Sequence, residues 1–540
     1  MSAGVATRGA DAPAPPGPGR PRGGRWRVAA YRALPWFLAG VAWLAALALA
    51  GTPETAVARF GAYWLLAVTA PGTLIYRTLR GSRGSWPEDL AYGAVVGLVC
   101  EAAVWAGAAA VGHPLPLRAW PVAVLLAFAA VPALRRHWRI DAPRALPVGW
   151  HWGVAGAAGA AALWAVGQWR AYPLRPTTAD YYPDMLYHLS LVRELMRPMP
   201  FQLPQLAGEP LSYHFLSHAH MAAASTVAGV EPLTVVFRLW LAPIMVLLVV
   251  TTAAVAREVA GRWWAGPVAA GTAVLAVPLG FGGPALVPTN SAMSLASPSL
   301  TFLGPPLLLL AALCVDAVRG RRLGRAWVLL PAVGLFCAGA KASGVPLLLV
   351  GMAVAGTAAA VLRRRVPWPA VAATGALLAA LLAGLPLFVD PAGGGLHPQA
   401  FSTLQWVTPY RATLGAGQTS TVPGWLPAGL AGAPAAGWLL ALSVVGAFLV
   451  LHLPVLAGVL LPARRRPRRD PAAWLLAGAV AAGLGVMWTM FHAGGSQLYF
   501  QRSAIPLGAV LAAWLLVEVW PGRWAVPVVA ATGAAGAACA

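Results

Sequence analysis

Apolar runs about as long as a bilayer is thick, separated by arginine clusters, dictate what this chain can fold into. Crossing the hydrocarbon core takes about 20 predominantly apolar residues per helix. Such windows run at 34–51, 60–79, 90–111, 119–134 and 148–167, and again at 326–340, 344–362, 369–389, 433–461, 472–490 and 505–520. By that criterion the whole chain offers about 13 to 15 spans. Only 10% of the 540 residues are charged and 59% are hydrophobic, whereas soluble domains carry about 25% charged residues. The expected fold class is an all-α polytopic membrane protein with a partly helical external loop. Gly, Ala, Val and Leu dominate the windows, as suits helices that pack closely through small residues.

The net charge of +22 raises the question of nucleic acid, but the arginines never gather into a soluble basic domain. They fall in short clusters between windows, where they bias topology, so no nucleic-acid partner is expected. Cys100, Cys314, Cys337 and Cys539 all lie in apolar windows without CxxC spacing. They read as small buried hydrophobes, with neither disulfide nor zinc site indicated.

The arginines order the windows. Arg20, Arg22, Arg25 and Arg27 precede the first one, which makes residues 1–32 a disordered cytoplasmic tail in a multi-pass plasma-membrane protein. A five-helix membrane region at 33–167 then delivers 168–232 to the outer face. Clusters at Arg319–Arg325, Arg363–Arg365 and Arg464–Arg469 place the C-terminal membrane region, 233–540, with external loops 282–298, 390–432 and 491–504. The stretch 213–230 is apolar but holds three histidines. It reads as a juxtamembrane or re-entrant helix, because a full span there would carry Arg257 and Arg262 outside.

The loop 168–232 is where the rare polar residues concentrate. Five of the 16 acids lie there: Asp180, Asp184, Glu194, Glu209 and Glu231. Pro183 suits the first turn of a helix that runs to about Met196. Asp184 then sits where the helix dipole favours an anion, with His188 one turn on at i+4. A carboxylate in this setting can deprotonate a hydroxyl while an imidazole orients it or shares the proton. The bland reading is a capped helix with an interfacial histidine. Paired acids also offer the hard oxygen ligands that a divalent cation takes. Downstream, His214 and His218 have i,i+4 spacing and would share a helical face, with His220 pointing elsewhere. Without an intervening glutamate this is a weak metal signal.

Lys341 is the only lysine; the other 37 cationic side chains are arginines. It lies within FCAGAKASGVPLLLV, at the outer tip of a helical hairpin. Gly344 and Pro346 let the helix break there, exposing backbone N–H groups beside the amine as an anion site. The alternative is a lysine that snorkels to the headgroups. Arg502, behind Tyr499 and Phe500, reads either as a second phosphate ligand or as an interfacial anchor. Arg411, in the loop Trp406–Arg411, is a third cation on the same face.

The residues Asp180-Tyr181-Tyr182-Pro183-Asp184 with Tyr187-His188, followed by Ala207-Gly208-Glu209-Pro210-Leu211-Ser212-Tyr213-His214, resemble the external loop of polytopic C-class (GT-C) glycosyltransferases that use polyprenyl-phosphate-linked sugars. The resemblance covers 168–232, and about five spans precede the loop. It implies a transferase for a polyprenyl-phosphate sugar, acting on an extracytoplasmic glycan or protein acceptor. Asp184 or Asp180 would be the base, with His188 beside it. Lys341 and Arg502 would meet the lipid phosphate. Arg411, Tyr182, His214 and His218 complete the candidate substrate-contacting set. A lipid or glycan transporter is the alternative, and would place charges at mid-helix depth. Glu101, near the middle of its window, and Glu518 are the residues that fit it.

Overall fold

The computed structural model describes residues 22–175, 177, 180–275, 291–389, 395–415 and 424–520. The chain is an all-α polytopic protein. Among the described residues eight helices are long and apolar enough to cross a membrane, and up to ten if each of two bent pairs counts as one span. The 13 to 15 windows exceed that number because several form helices outside the criterion. Ala265–Leu275 and Gly324–Ala340 are short, and Val148–Ala171 is not among the eight. All five N-terminal windows are helical, the first already from Arg22, inside the segment expected as tail. Residues 1–21 of that tail, most of the expected loop 282–298, and residues 390–394 and 416–423 of the loop 390–432 lie outside the described residues.

Local signals set the helix limits. Proline occupies the first turn of Trp86–Ala110, Pro183–Glu194, Pro298–Val318 and Pro471–Thr489, where its missing N–H costs nothing. The Asp470 carboxylate caps the last of these by accepting from Ala472 N at 3.0 Å. Leu115–Ala130 bends by 99° into Pro132–Trp138, and Ala435–Leu451 by 65° into Leu453–Ala463, each with a proline at the start of the second limb. Glycine governs the tightest packing. A Cβ at Gly72 would collide with Gly93 O, and one at Gly97 with Val68 O. The Ala70–Arg80 and Trp86–Ala110 helices therefore meet backbone to backbone, which only small residues allow.

The Pro298–Val318 helix is buried along its whole length and serves as the axis of the bundle. Ser299 and Asp316, near its two ends, are separated by about 26 Å of helix at about 1.5 Å per residue. The two ends differ in chemistry. Around Asp316 the arginine clusters converge on acids. Arg80 and Arg321 pair with Asp316, Arg83 and Arg321 with Glu258, Arg77 with Asp89, Arg257 with Glu88, and Arg319 with Asp470. Around Ser299 the residues are histidine, tyrosine and lysine.

Residues 216–228 form a helix of 13 residues, ten of them buried. At about 1.5 Å per residue that is too short to cross a bilayer, so the 213–230 stretch is an interior helix at the Ser299 end. A two-residue antiparallel ladder, His397–Pro398 with Met490–Phe491, ties the 395–415 segment to the 490–497 turn. Beside it, Leu404, Val407, Tyr410 and Leu430 build a small satellite core.

Candidate functional site

Lys341 interrupts two helices. Leu329–Ala340 ends on it, with Lys341 extended at φ −161° and ψ 123°, and the chain resumes as helix at Gly344. The side chain does not snorkel: it is 7% exposed and turns into the bundle. Its Nζ lies 3.1 Å from His214 Nε2, 3.4 Å from Ser299 Oγ and 3.6 Å from the centroid of the Tyr499 ring. The Arg502 guanidinium lies 5.5 Å from that same centroid. One aromatic ring thus lies against two cations, an arrangement that the ring quadrupole favours. Among the described residues no carboxylate forms an ion pair with Lys341. Burial, reinforced by the nearby Arg502 charge, pulls its amine down to about 7.

His214 reaches Lys341 because it precedes the helix that starts at Leu216. The shared helical face expected for His214 and His218 therefore does not form. The irregular Ser212–Phe215 segment frees His214 to stack on Tyr213, with centroids 4.0 Å apart, and Tyr213 packs edge-on against Tyr187.

His218, on the helix, joins His188 instead. The carbonyl of Ala296 can only accept, so His188 Nε2 donates to it at 3.1 Å. His188 Nδ1 is then the acceptor for His218 Nε2–H at 2.9 Å, and His218 Nδ1 accepts from Ser217 Oγ at 3.2 Å. The chain is satisfied with both imidazoles neutral. Burial enforces this, holding His188 at about 4 against an ordinary 6.5. Both ring nitrogens of His188 are engaged, so the imidazole holds the geometry of this end of the bundle.

Asp184 lies one turn before His188 on the same helix. It sits in the first turn of Pro183–Glu194, where backbone N–H groups and the dipole favour an anion, and it is exposed while His188 is buried. Asp184 and Lys341 both act on His188 electrostatically, with opposite sign. Tyr172 and Tyr182, with ring centroids 5.5 Å apart, feel the same carboxylate, and it lifts both phenols beyond what burial does. Asp180 is exposed and accepts from Thr177 Oγ1 at 2.7 Å. It borders a cavity of about 250 Å³ with Tyr172, Tyr182, Arg175 and Phe237. The two tyrosines thus connect Asp180 to Asp184.

Asp184, Asp180, His188, Tyr182, His214, His218, Lys341 and Arg502 are therefore neighbours at the Ser299 end. Arg411 is not brought to them by any described contact. It is exposed on the short helix Thr408–Ala412, attached to the satellite core. Among the described residues no three His, Cys, Asp or Glu side chains converge in a way that could hold a metal ion.

A second polar cluster surrounds Glu101. Glu101, buried at mid-helix, accepts from the Tyr63 hydroxyl, and its Oε2 lies 2.6 Å from His220 Nδ1. His220 Nε2 is buried with no hydrogen-bond partner among the described residues, against the rings of Trp64 and Phe302. Glu101 was visible as an acid within an apolar window. Its partners were not, since Tyr63 and His220 lie on other helices and no spacing relates them.

No family model, curated protein or solved structure matches the chain.

Proposed function

We propose that the chain is a membrane glycosyltransferase that moves a sugar from a polyprenyl-phosphate donor to a hydroxyl acceptor. The observation that supports this reading is a pair of cations, Lys341 and Arg502, against the Tyr499 ring, at the end of the bundle that also carries the exposed Asp184. In the proposed reaction Asp184 takes the proton of the acceptor hydroxyl as its oxygen attacks the anomeric carbon. The bond from that carbon to the phosphate oxygen breaks, and the lipid phosphate leaves with the electron pair. Lys341 and Arg502 stabilise the charge that develops on it. Entry of the phosphate would draw a proton onto Lys341. Asp180, beside the tyrosine-lined cavity, is the alternative base, and Tyr182, His214 and His218 shape the site. We assign this end of the bundle to the extracytoplasmic face.

The test is envelope glycan profiling in cells dependent on the chain, together with transfer assays using short-chain synthetic polyprenyl-phosphate monosaccharides. Asp184→Asn and Lys341→Met should each abolish product while the protein still inserts and migrates normally. Undiminished product in both variants overturns the reading.

A second reading is favoured by the Glu101–Tyr63–His220 cluster, whose buried acid lies where a proton-coupled transporter would carry one. Glu101→Gln separates the two. Loss of lipid or glycan translocation, with normal transfer in the Asp184 and Lys341 variants, would favour transport.

A further inference from the structure

At the arginine end, three basic clusters far apart in sequence border one recess. A cavity of about 390 Å³ is lined by Arg319, Arg321, Arg363, Arg466 and Arg469, with Asp470 the one acid among its lining residues. Asp470 is already committed. Arg319 holds both its oxygens, at 2.7 and 3.2 Å, and Ala472 N donates to it as well. Arg321 answers Glu258 and Asp316. Arg363 donates to the backbone carbonyl of Arg469, which returns no charge. Among the described residues no carboxylate pairs with Arg363, Arg466 or Arg469. Charge bias in separate loops would be enough to orient the helices. It does not require three loops to bring arginines to the border of one recess and leave three of them without a carboxylate partner among the described residues.

The surroundings say which anion fits. The recess opens where the Gly344–Arg363 helix ends, beside apolar side chains facing outward: Val361 is 72% exposed and Trp368 75%. A soluble anion has no use for that surface. A lipid does, since its phosphate can take paired guanidinium hydrogen bonds while its chains lie along the helix. We infer that this recess is a binding site for the phosphodiester headgroup of an anionic phospholipid, at the opposite end of the bundle from Lys341. The site is independent of the proposed transferase chemistry.

The full-length protein, purified in detergent, would be titrated with phosphatidylglycerol, phosphatidylcholine and inorganic phosphate, and retained ligand read by native mass spectrometry. Phosphatidylglycerol should be retained in preference to phosphatidylcholine. The double variant Arg466→Gln/Arg469→Gln should weaken that retention at least about tenfold, and Arg469→Gln alone by a smaller factor. Arg135→Gln/Arg136→Gln, which removes the same charge elsewhere, and Asp184→Asn should leave it unchanged. The inference is overturned by equal retention in wild type and the Arg466/Arg469 variant. It is also overturned by an equal loss in the Arg135/Arg136 control, or by inorganic phosphate occupying the site while phosphatidylglycerol does not.

Discussion

Lys341 shows what one residue can reveal and what it cannot. A lone lysine in an apolar stretch marks a site by its cost alone, yet only the packing shows the amine held by His214, Ser299 and Tyr499. Because its amine titrates near 7, affinity for a short-chain polyprenyl phosphate should fall as pH rises through that value and the amine loses its charge. Lys341→Arg should abolish that dependence, which calorimetric titration between pH 6 and 8 would read. His188 makes a separate prediction. Its folded value near 4 lies below the ordinary 6.5, so the unfolded chain binds the proton first. Stability present above pH 6.5 is lost as pH falls toward 4, by about 3 kcal/mol once both forms are protonated. Melting in detergent should show a falling Tm across that window, shallower in His188→Asn. A flat profile would count against the buried neutral imidazole.

Helices were the most legible elements. The start predicted at Pro183 is observed, and the helix ends at Glu194, two residues before the predicted Met196. The Leu216–Ala228 helix was less legible, because where it starts decides which histidine faces what. Spacing alone put His214 and His218 on one face; the observed start at Leu216 sends one to Lys341 and the other to His188. Close helix contacts also escaped the sequence, since the chain has 59 glycines and nothing local tells a packing glycine from a tolerated one. Gly97→Val tests the contact. Its side chain would meet the Val68 backbone, and overpacking of this kind costs about 1–3 kcal/mol or more. Gly107→Val, on the same helix with nothing within 4 Å of its Cβ position, should be far milder. The comparison is read as detergent-extracted, monodisperse yield and Tm.

At the scale of the whole molecule, the two ends of the Pro298–Val318 helix carry unlike chemistries. Cysteines introduced at Gly208 and at Arg365 should therefore label from opposite sides of the membrane with an impermeant maleimide, the former from outside. Labelling of both from one side would refute the topology. The ion pairs at the arginine end lock helices together, some distant in sequence, such as Arg257 with Glu88, and some close, such as Arg77 with Asp89. Asp89, fully buried against Arg77, also accepts from Ser82 and from the Arg83 backbone. Asp89→Ala should cost about 3–5 kcal/mol by stranding the guanidinium, seen as a collapse of yield that Arg77→Met in the same chain partly restores.

The sequence by itself determined the all-α membrane architecture, the apolar windows and the placement of rare polar residues in the 168–232 loop and at position 341. These follow from hydropathy and charge, which are properties of contiguous residues. Only the tertiary structure decided which of those residues meet. It joined Lys341 to His214 and His188 to His218, left Arg411 apart, and gave Glu101 its partners Tyr63 and His220. Those encounters bring together side chains from different helices, and their distances depend on how the helices pack, which no local pattern encodes.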